Sequence, residues 1–179
     1  MKQFFAILCL GFALASCNNA DNKTSEPAKT EDKSTTEVKL PFPLAGPYNN
    51  WEMGSTENVA AAMSALKAFI DKDFTALGAS IGDSLEVDFD NFQAKMSRDS
   101  AIAFFVGGRS MYNDLTVTMY DYVSVISADK KAEWVTLWYK QNWKDAKGVA
   151  DSMNVVNDIR LENGKMVELD EKTSHFMKK

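Results

Sequence analysis

A chain of 179 residues, 45% of them hydrophobic and four of them tryptophan, can fill the core of one ordinary domain. Its 20 basic and 25 acidic residues leave a net charge of −5, with no basic block beyond Lys130-Lys131; this excludes nucleic acid as a partner, because phosphate binding needs a basic footprint. With a single histidine, His175, and two cysteines near the start, neither a histidine dyad nor a zinc site can form, and no metal or other cofactor is expected.

The chain begins Met1-Lys2 and continues with "FFAILCLGFALA", Phe4 to Ala15. A short charged start, an apolar run and small residues at its end describe a secretory signal too short to serve as a membrane-spanning helix. "LASC", ending at Cys17, resembles the lipobox of bacterial lipoproteins. The resemblance implies cleavage after residue 16, lipid (palmitate-type chains) on Cys17, and a place in the bacterial cell envelope, at the outer membrane. The alternative is an ordinary signal cut near Ser16 and a soluble exported product. Residues 17–46 hold almost no apolar residues before "LPFPLAGPY", so they read as a disordered tether with a Pro-rich end. Residues 47–179 remain as one domain. With Cys9 removed and Cys17 lipidated, that domain has no thiol and must stand on its hydrophobic core.

In the domain, Val59, Met63, Leu66, Phe69 and Ile70 recur at helical spacing, with Ser55 or Thr56 as a cap. Asp71-Lys72-Asp73 breaks this helix, and Phe74, Leu77 and Ile81 continue on a second, short one. "SLEVDF", Ser84 to Phe89, alternates as a strand. Ser97 caps a third helix with Ile102, Phe105 and Val106 on its apolar face, weakened or ended by Gly107-Gly108. Four long stretches rich in Val, Thr, Tyr and Trp follow, alternating with period two. They turn at Asp129-Lys130-Lys131, at Ala146-Lys147-Gly148 and at Asn163-Gly164. Helices first and an antiparallel run afterwards make an α+β domain, with N-terminal helices packed on one face of a mainly antiparallel sheet.

This order resembles the nuclear transport factor 2-like superfamily, which includes ketosteroid isomerase, SnoaL-like polyketide cyclases and scytalone dehydratase. "FIDKDFTALGASIGDSLEVDF" is similar to the family segment that closes the first helix and crosses the first strand. "IRLENGKMVELDE" is similar to its closing hairpin. The resemblance implies a cystatin-like fold in which a curved sheet and the helices enclose a cone-shaped pocket. It places Asp88 where the isomerase carries its general base, Ala65 where it carries a Tyr, and Asn157 where it carries a protonated Asp. Ala65 cannot donate a hydrogen bond, so half of the isomerase's oxyanion hole is missing. The paired histidines of the dehydratase and cyclase branches are missing as well.

The strand pattern supplies candidate residues by itself. Asn157 interrupts the apolar row Met153, Val155, Ile159, Leu161. It either bonds a buried neighbour, lines a pocket, or is carried to solvent by a bulge. Asp121 interrupts Leu115, Val117, Met119, Val123 and Val125, with a bulge or a buried Tyr120–Tyr122 pair as the other reading. Tyr139 extends the row of Val135 and Leu137 and joins Asn157 and Asp121 as a candidate ligand contact. Asp88 is either a general base or a carboxylate capping a strand end. Arg109 reads as a solvated helix-end charge, with receipt of an anion as the other reading. Trp134 and Trp138 share a face that is either core or an outer surface for a homodimer.

These readings favour a binding module that holds a small apolar or amphipathic ligand without catalysis. One alternative is an enzyme of the ketosteroid isomerase or polyketide cyclase type, with Asp88 as base. The other is an interaction or dimerisation module.

Overall fold

The fold comes from a computed structural model that describes residues 41–43, 50–90 and 92–175. The signal peptide, Cys17 and most of the expected tether lie outside the described residues. The chain divides at Pro41, and the fold below is that of the unit beginning at Phe42.

Three helices precede the long strands, in the order β1 (Glu52–Met53), α1 (Thr56–Asp71), α2 (Phe74–Ser80), β2 (Ile81–Phe89), β3 (Phe92–Ser97), α3 (Arg98–Ser110), β4 (Asn113–Ile126), β5 (Glu133–Lys144), β6 (Ala150–Glu162) and β7 (Lys165–His175). Each helix starts on a side-chain cap. Ser55 accepts from the Asn58 amide, Asp73 from the Ala76 amide and Ser97 from the Ser100 amide, satisfying N–H groups that the helix itself leaves open. Lys72 ends α1 in the left-handed region, with φ 62°, and its amide donates to the carbonyls of Ala68 and Phe69.

The seven strands form one sheet in the order β1-β4-β5-β6-β7-β2-β3. All neighbours are antiparallel except β2 and β7, which run parallel, so the sheet is mixed. Asn163 and Gly164 join β6 to β7 with φ 51° and 71°, the doubly positive pair of a tight hairpin turn. Register shifts bend the long strands, among them those at Tyr120 in β4 and at Val167 in β7.

The helices cover the concave face, where Leu85, Val87, Val135, Leu137, Val155 and Ile159 are buried. Each contributes about 1.5–3 kcal/mol by burial. The deepest face of α1 is Val59 with Ala62, Ala65 and Ala68, while the larger Met63, Leu66, Phe69 and Ile70 take its flanks. A helix that presents alanines to a curved sheet leaves space in the middle of the layer. α2 meets α3 at Gly78, where a Cβ would stand 2.6 Å from the Ile102 side chain.

Several local expectations are corrected. Ile81 opens β2 instead of closing α2. β1 and β3 are additional strands. α3 runs through Gly107 and Gly108 to Ser110, and its Val106 faces solvent. Arg109 is buried rather than solvated: its guanidinium donates to the Ile70 and Tyr112 carbonyls, tying the end of α1 to the end of α3. A cation at two helix C-termini is favoured by the helix dipoles.

Candidate functional site

Between α1, α3 and the concave face of the sheet lies a cavity of about 200 Å³. Its helix side is built by Ala62, Ala65, Leu66 and Phe69 of α1 and by Phe104, Phe105 and Gly108 of α3. Phe105 meets Phe69 edge-on at 6.0 Å and Phe104 at 5.6 Å, so the aromatic wall is a connected unit. A space of this size suits a ligand of one or two rings.

The sheet side carries most of the polar groups, and they come in a row. Asn157 on β6 stands directly opposite Glu171 on β7, and Glu171 stands opposite Phe89 on β2. Tyr139 on β5 lies diagonal to Asn157, within the reach of a long side chain across an antiparallel pair. The Asn157 amide nitrogen donates to the Tyr139 hydroxyl at 3.1 Å. The Asn157 side-chain oxygen is buried and has no hydrogen-bond partner. Tyr112, just after α3, and Gln141 on β5 complete the polar lining.

Burial governs the electrostatics of this row. It pushes the Glu171 carboxyl up to about 7, opposed by the hydrogen bond from Asn157 and reinforced by the charge of Asp90. Burial also raises the Tyr139 hydroxyl well above the usual tyrosine range, and the negative charge of Glu171 adds to this. Tyr112 is raised for the same two reasons.

Of the residues singled out in the sequence, Asn157 and Tyr139 come together at the cavity. Asp121 and Asp88 do not. At Asp121 the bulge reading holds: Met119 pairs with Tyr139 on the concave side, the extra residue Tyr120 flips the alternation, and Asp121 pairs with Trp138 on the convex side. Both Tyr120 and Tyr122 are exposed, so they are not a buried pair. Asp88 falls between the inward-facing Val87 and Phe89 and therefore points to the convex face, where it accepts from the Gln93 amide at 2.6 Å. It is not among the residues that line the cavity. Trp134 and Trp138 are half-buried on that same convex face, opposite the buried Val135 and Leu137. Among the described residues, no cluster of His, Cys, Asp and Glu is placed to hold a metal ion.

Glu171 escaped the sequence reading. The row Leu169-Glu171 on β7 carries the signal that flagged Asn157 on β6, a polar residue in line with an inward apolar one. The extra residue Val167 hides it by changing which positions of β7 face inward.

No protein-family model matches this sequence, and no curated protein matches it. Many solved structures share its shape. A nuclear transport factor 2-like protein of unknown function from Burkholderia pseudomallei is 13% identical with a TM-score of 0.56, over 67% of this chain and 92% of that one. A protein classed as a SnoaL-like polyketide cyclase from Jannaschia is 15% identical with a TM-score of 0.55, over 66% and 86%. An epoxide hydrolase of the LEH-like type from Mycobacterium tuberculosis is 16% identical with a TM-score of 0.53, over 67% and 84%. At such identities the likeness carries the fold alone: helices on a curved, open, mixed sheet, the nuclear transport factor 2-like cone.

Proposed function

We propose that the domain binds a small apolar or amphipathic molecule in this cavity and holds it without turnover. The observation that carries the reading is the division of the lining: aromatic and aliphatic walls on the helix side, and one compact polar row, Tyr139-Asn157-Glu171, on the sheet side. Such a cavity takes up apolar area and fixes orientation with few polar contacts. Native mass spectrometry of the chain purified from its own host tests this. A bound small molecule is expected on the wild type and not on Ala65→Phe, which fills the space under α1. An empty wild type, or a molecule retained by both, removes the reading.

One observation favours a second reading. A carboxyl near 7 is matched to proton transfer at neutral pH, so Glu171, in place of Asp88, would be the base of an enzyme of this fold. Among the SnoaL-like and epoxide hydrolase structures that share the fold, catalysis is named. Against it stands Ala65, which offers no hydrogen bond to an oxyanion.

For the rest of the chain we propose the envelope lipoprotein suggested by "LASC". Cys17→Ser is expected to release the protein from membranes, and retention after a high-salt wash would remove the anchor. The half-buried Trp134 and Trp138 on the convex face support a homodimer through the outer sheet. Changing both to Thr is expected to give a folded monomer by sedimentation, and a wild type that is already monomeric would discard the idea.

A further inference from the structure

We propose that the cavity's ligand is an organic cation, a quaternary or protonated amine with small apolar substituents, held by Glu171 against the aromatic wall. The inference rests on the ligand-binding reading above and specifies its chemistry.

Charge comes first. Of the described residues that line the cavity, Glu171 is the one carboxylate, and none is Lys, Arg or His. The titratable groups that face Glu171 are Tyr112 after α3, Tyr139 on β5 and Asp90 beyond β2, and each acts on it, or feels it, as a negative or potentially negative neighbour. α1 contributes only Ala62, Ala65, Leu66 and Phe69, and β6 contributes the uncharged Asn157. The amide nitrogen of Asn157 donates to Tyr139, and its oxygen has no hydrogen-bond partner, which adds another negative pole. The site has acceptors and negative charge but no counter-cation. A half-buried carboxylate without a counter-charge is costly, and a positively charged ligand relieves that cost on arrival.

The walls agree with this chemistry. Phe69, Phe89, Phe104, Phe105, Tyr112 and Tyr139 surround the space, and aromatic faces attract cations with apolar substituents while giving little to a hydrated ion. An anionic ligand such as a fatty acid would meet Glu171 with no basic group to receive it. A neutral ligand would bind best when Glu171 is protonated, so its affinity would fall as pH rises. A cation needs the ionised carboxylate, so its affinity rises with pH. The direction of the pH dependence therefore separates the classes.

The test uses the full chain and a matched pair of probes, phenyltrimethylammonium and its uncharged carbon isostere tert-butylbenzene, with affinities measured by titration from pH 5.5 to 8. At pH 8 the cation is expected to bind about tenfold or more tighter than the isostere. Below about pH 7 its affinity is expected to weaken by about tenfold per pH unit. Glu171→Gln is expected to remove both the preference and the pH dependence, and to bind the isostere at every pH about as tightly as the wild type does at pH 5.5. The pH profile of the wild type decides the matter even where the variant folds poorly. Equal or tighter binding of tert-butylbenzene at pH 8, or a cation affinity that falls as pH rises, overturns the proposal and leaves the apolar-ligand reading standing. If neither probe binds, or if Ala65→Phe binds both as well as the wild type, the cavity reading falls with it.

Discussion

Asp170 and Glu171 are neighbours on one strand and live in different worlds. Asp170 faces the convex side, directly opposite Asp158 on β6 and Asp88 on β2, and its carboxylate is met by Lys172, which also reaches Asp158 at 3.6 Å. Thr136 donates to Asp158 from the next strand, so this half-buried row of carboxylates is threaded with donors. Glu171 faces the concave side, beside Phe89 and Asn157, where no cation is within reach among the described residues and burial holds its carboxyl near 7. The backbone geometry is the same, and only the face differs. On one side of this sheet the carboxylates have Lys172 and Thr136 as partners, and on the other burial pushes the carboxyl up, because what matters is the surroundings that must stabilise its charge.

The two faces can be set against each other by mutation, beginning with the largest effect. Leu137 is fully buried on the concave face, so Leu137→Ala is expected to cost about 2–5 kcal/mol in urea unfolding. Its neighbour Trp138 lies half-buried on the convex face, and Trp138→Thr keeps a good strand former there, with an expected cost of about 1 kcal/mol. A reversed order of these two costs would mean that the faces are exchanged.

Next comes the pH dependence of stability. The Glu171 carboxyl titrates near 7 in the folded chain and near its ordinary 4.5 when unfolded, so the native state holds its proton more tightly. Its contribution is therefore fully present below about pH 4.5 and is lost as pH rises through about 7. The loss is on the order of 3 kcal/mol at 1.36 kcal/mol per pH unit. Salt-bridged carboxylates such as Asp114 are held low by Lys144 and act in the opposite direction, so the clean quantity is the difference between wild type and Glu171→Gln. That difference is expected to grow in favour of the variant from pH 5 to pH 8. Parallel curves for wild type and Glu171→Gln would place the carboxyl in water.

The same contrast explains what the sequence discloses. Asn157 is legible because β6 alternates without interruption from Met153 to Leu161, so one polar residue in the buried row stands out. Val135, Leu137 and Tyr139 are legible for the same reason. The helix starts are legible because Ser55, Asp73 and Ser97 cap by local chemistry. Glu171 is hidden because parity on β7 changes at Val167 and because it sits between Asp170 and Lys172, in a run that reads as solvent-facing. Asp121 is ambiguous for a similar cause, the bulge at Tyr120. The alanine stripe of α1 is hidden by the general rule that large apolar residues mark the buried face; here the small ones go deepest and leave the cavity. Bulges and cavities arise from the packing of distant strands, and periodicity along one strand does not contain them.

The smallest expected effect sharpens the comparison most, because it concerns the residue to which the family resemblance gave the chemistry. Asp88 is on β2, one position before Phe89, and Phe89 lines the cavity. Its carboxylate accepts from the Gln93 amide across the β2–β3 hairpin and stands in the half-buried convex row with Asp170 and Asp158. In Asp88→Asn the side-chain oxygen keeps the hydrogen bond from Gln93, and one of three neighbouring negative charges is removed. Like charges opposite one another on a sheet destabilise by a few tenths of a kcal/mol, so the variant is expected to be equal to the wild type or more stable by no more than about 0.5 kcal/mol. Ligand affinity in the cavity is expected to be unchanged, since the sheet itself separates residue 88 from the bound molecule. Glu171→Gln, on the same row of the other face, is expected to change both. A chain that loses ligand binding with Asp88→Asn and keeps it with Glu171→Gln would invert the assignment of faces at β2 and restore Asp88 to the site.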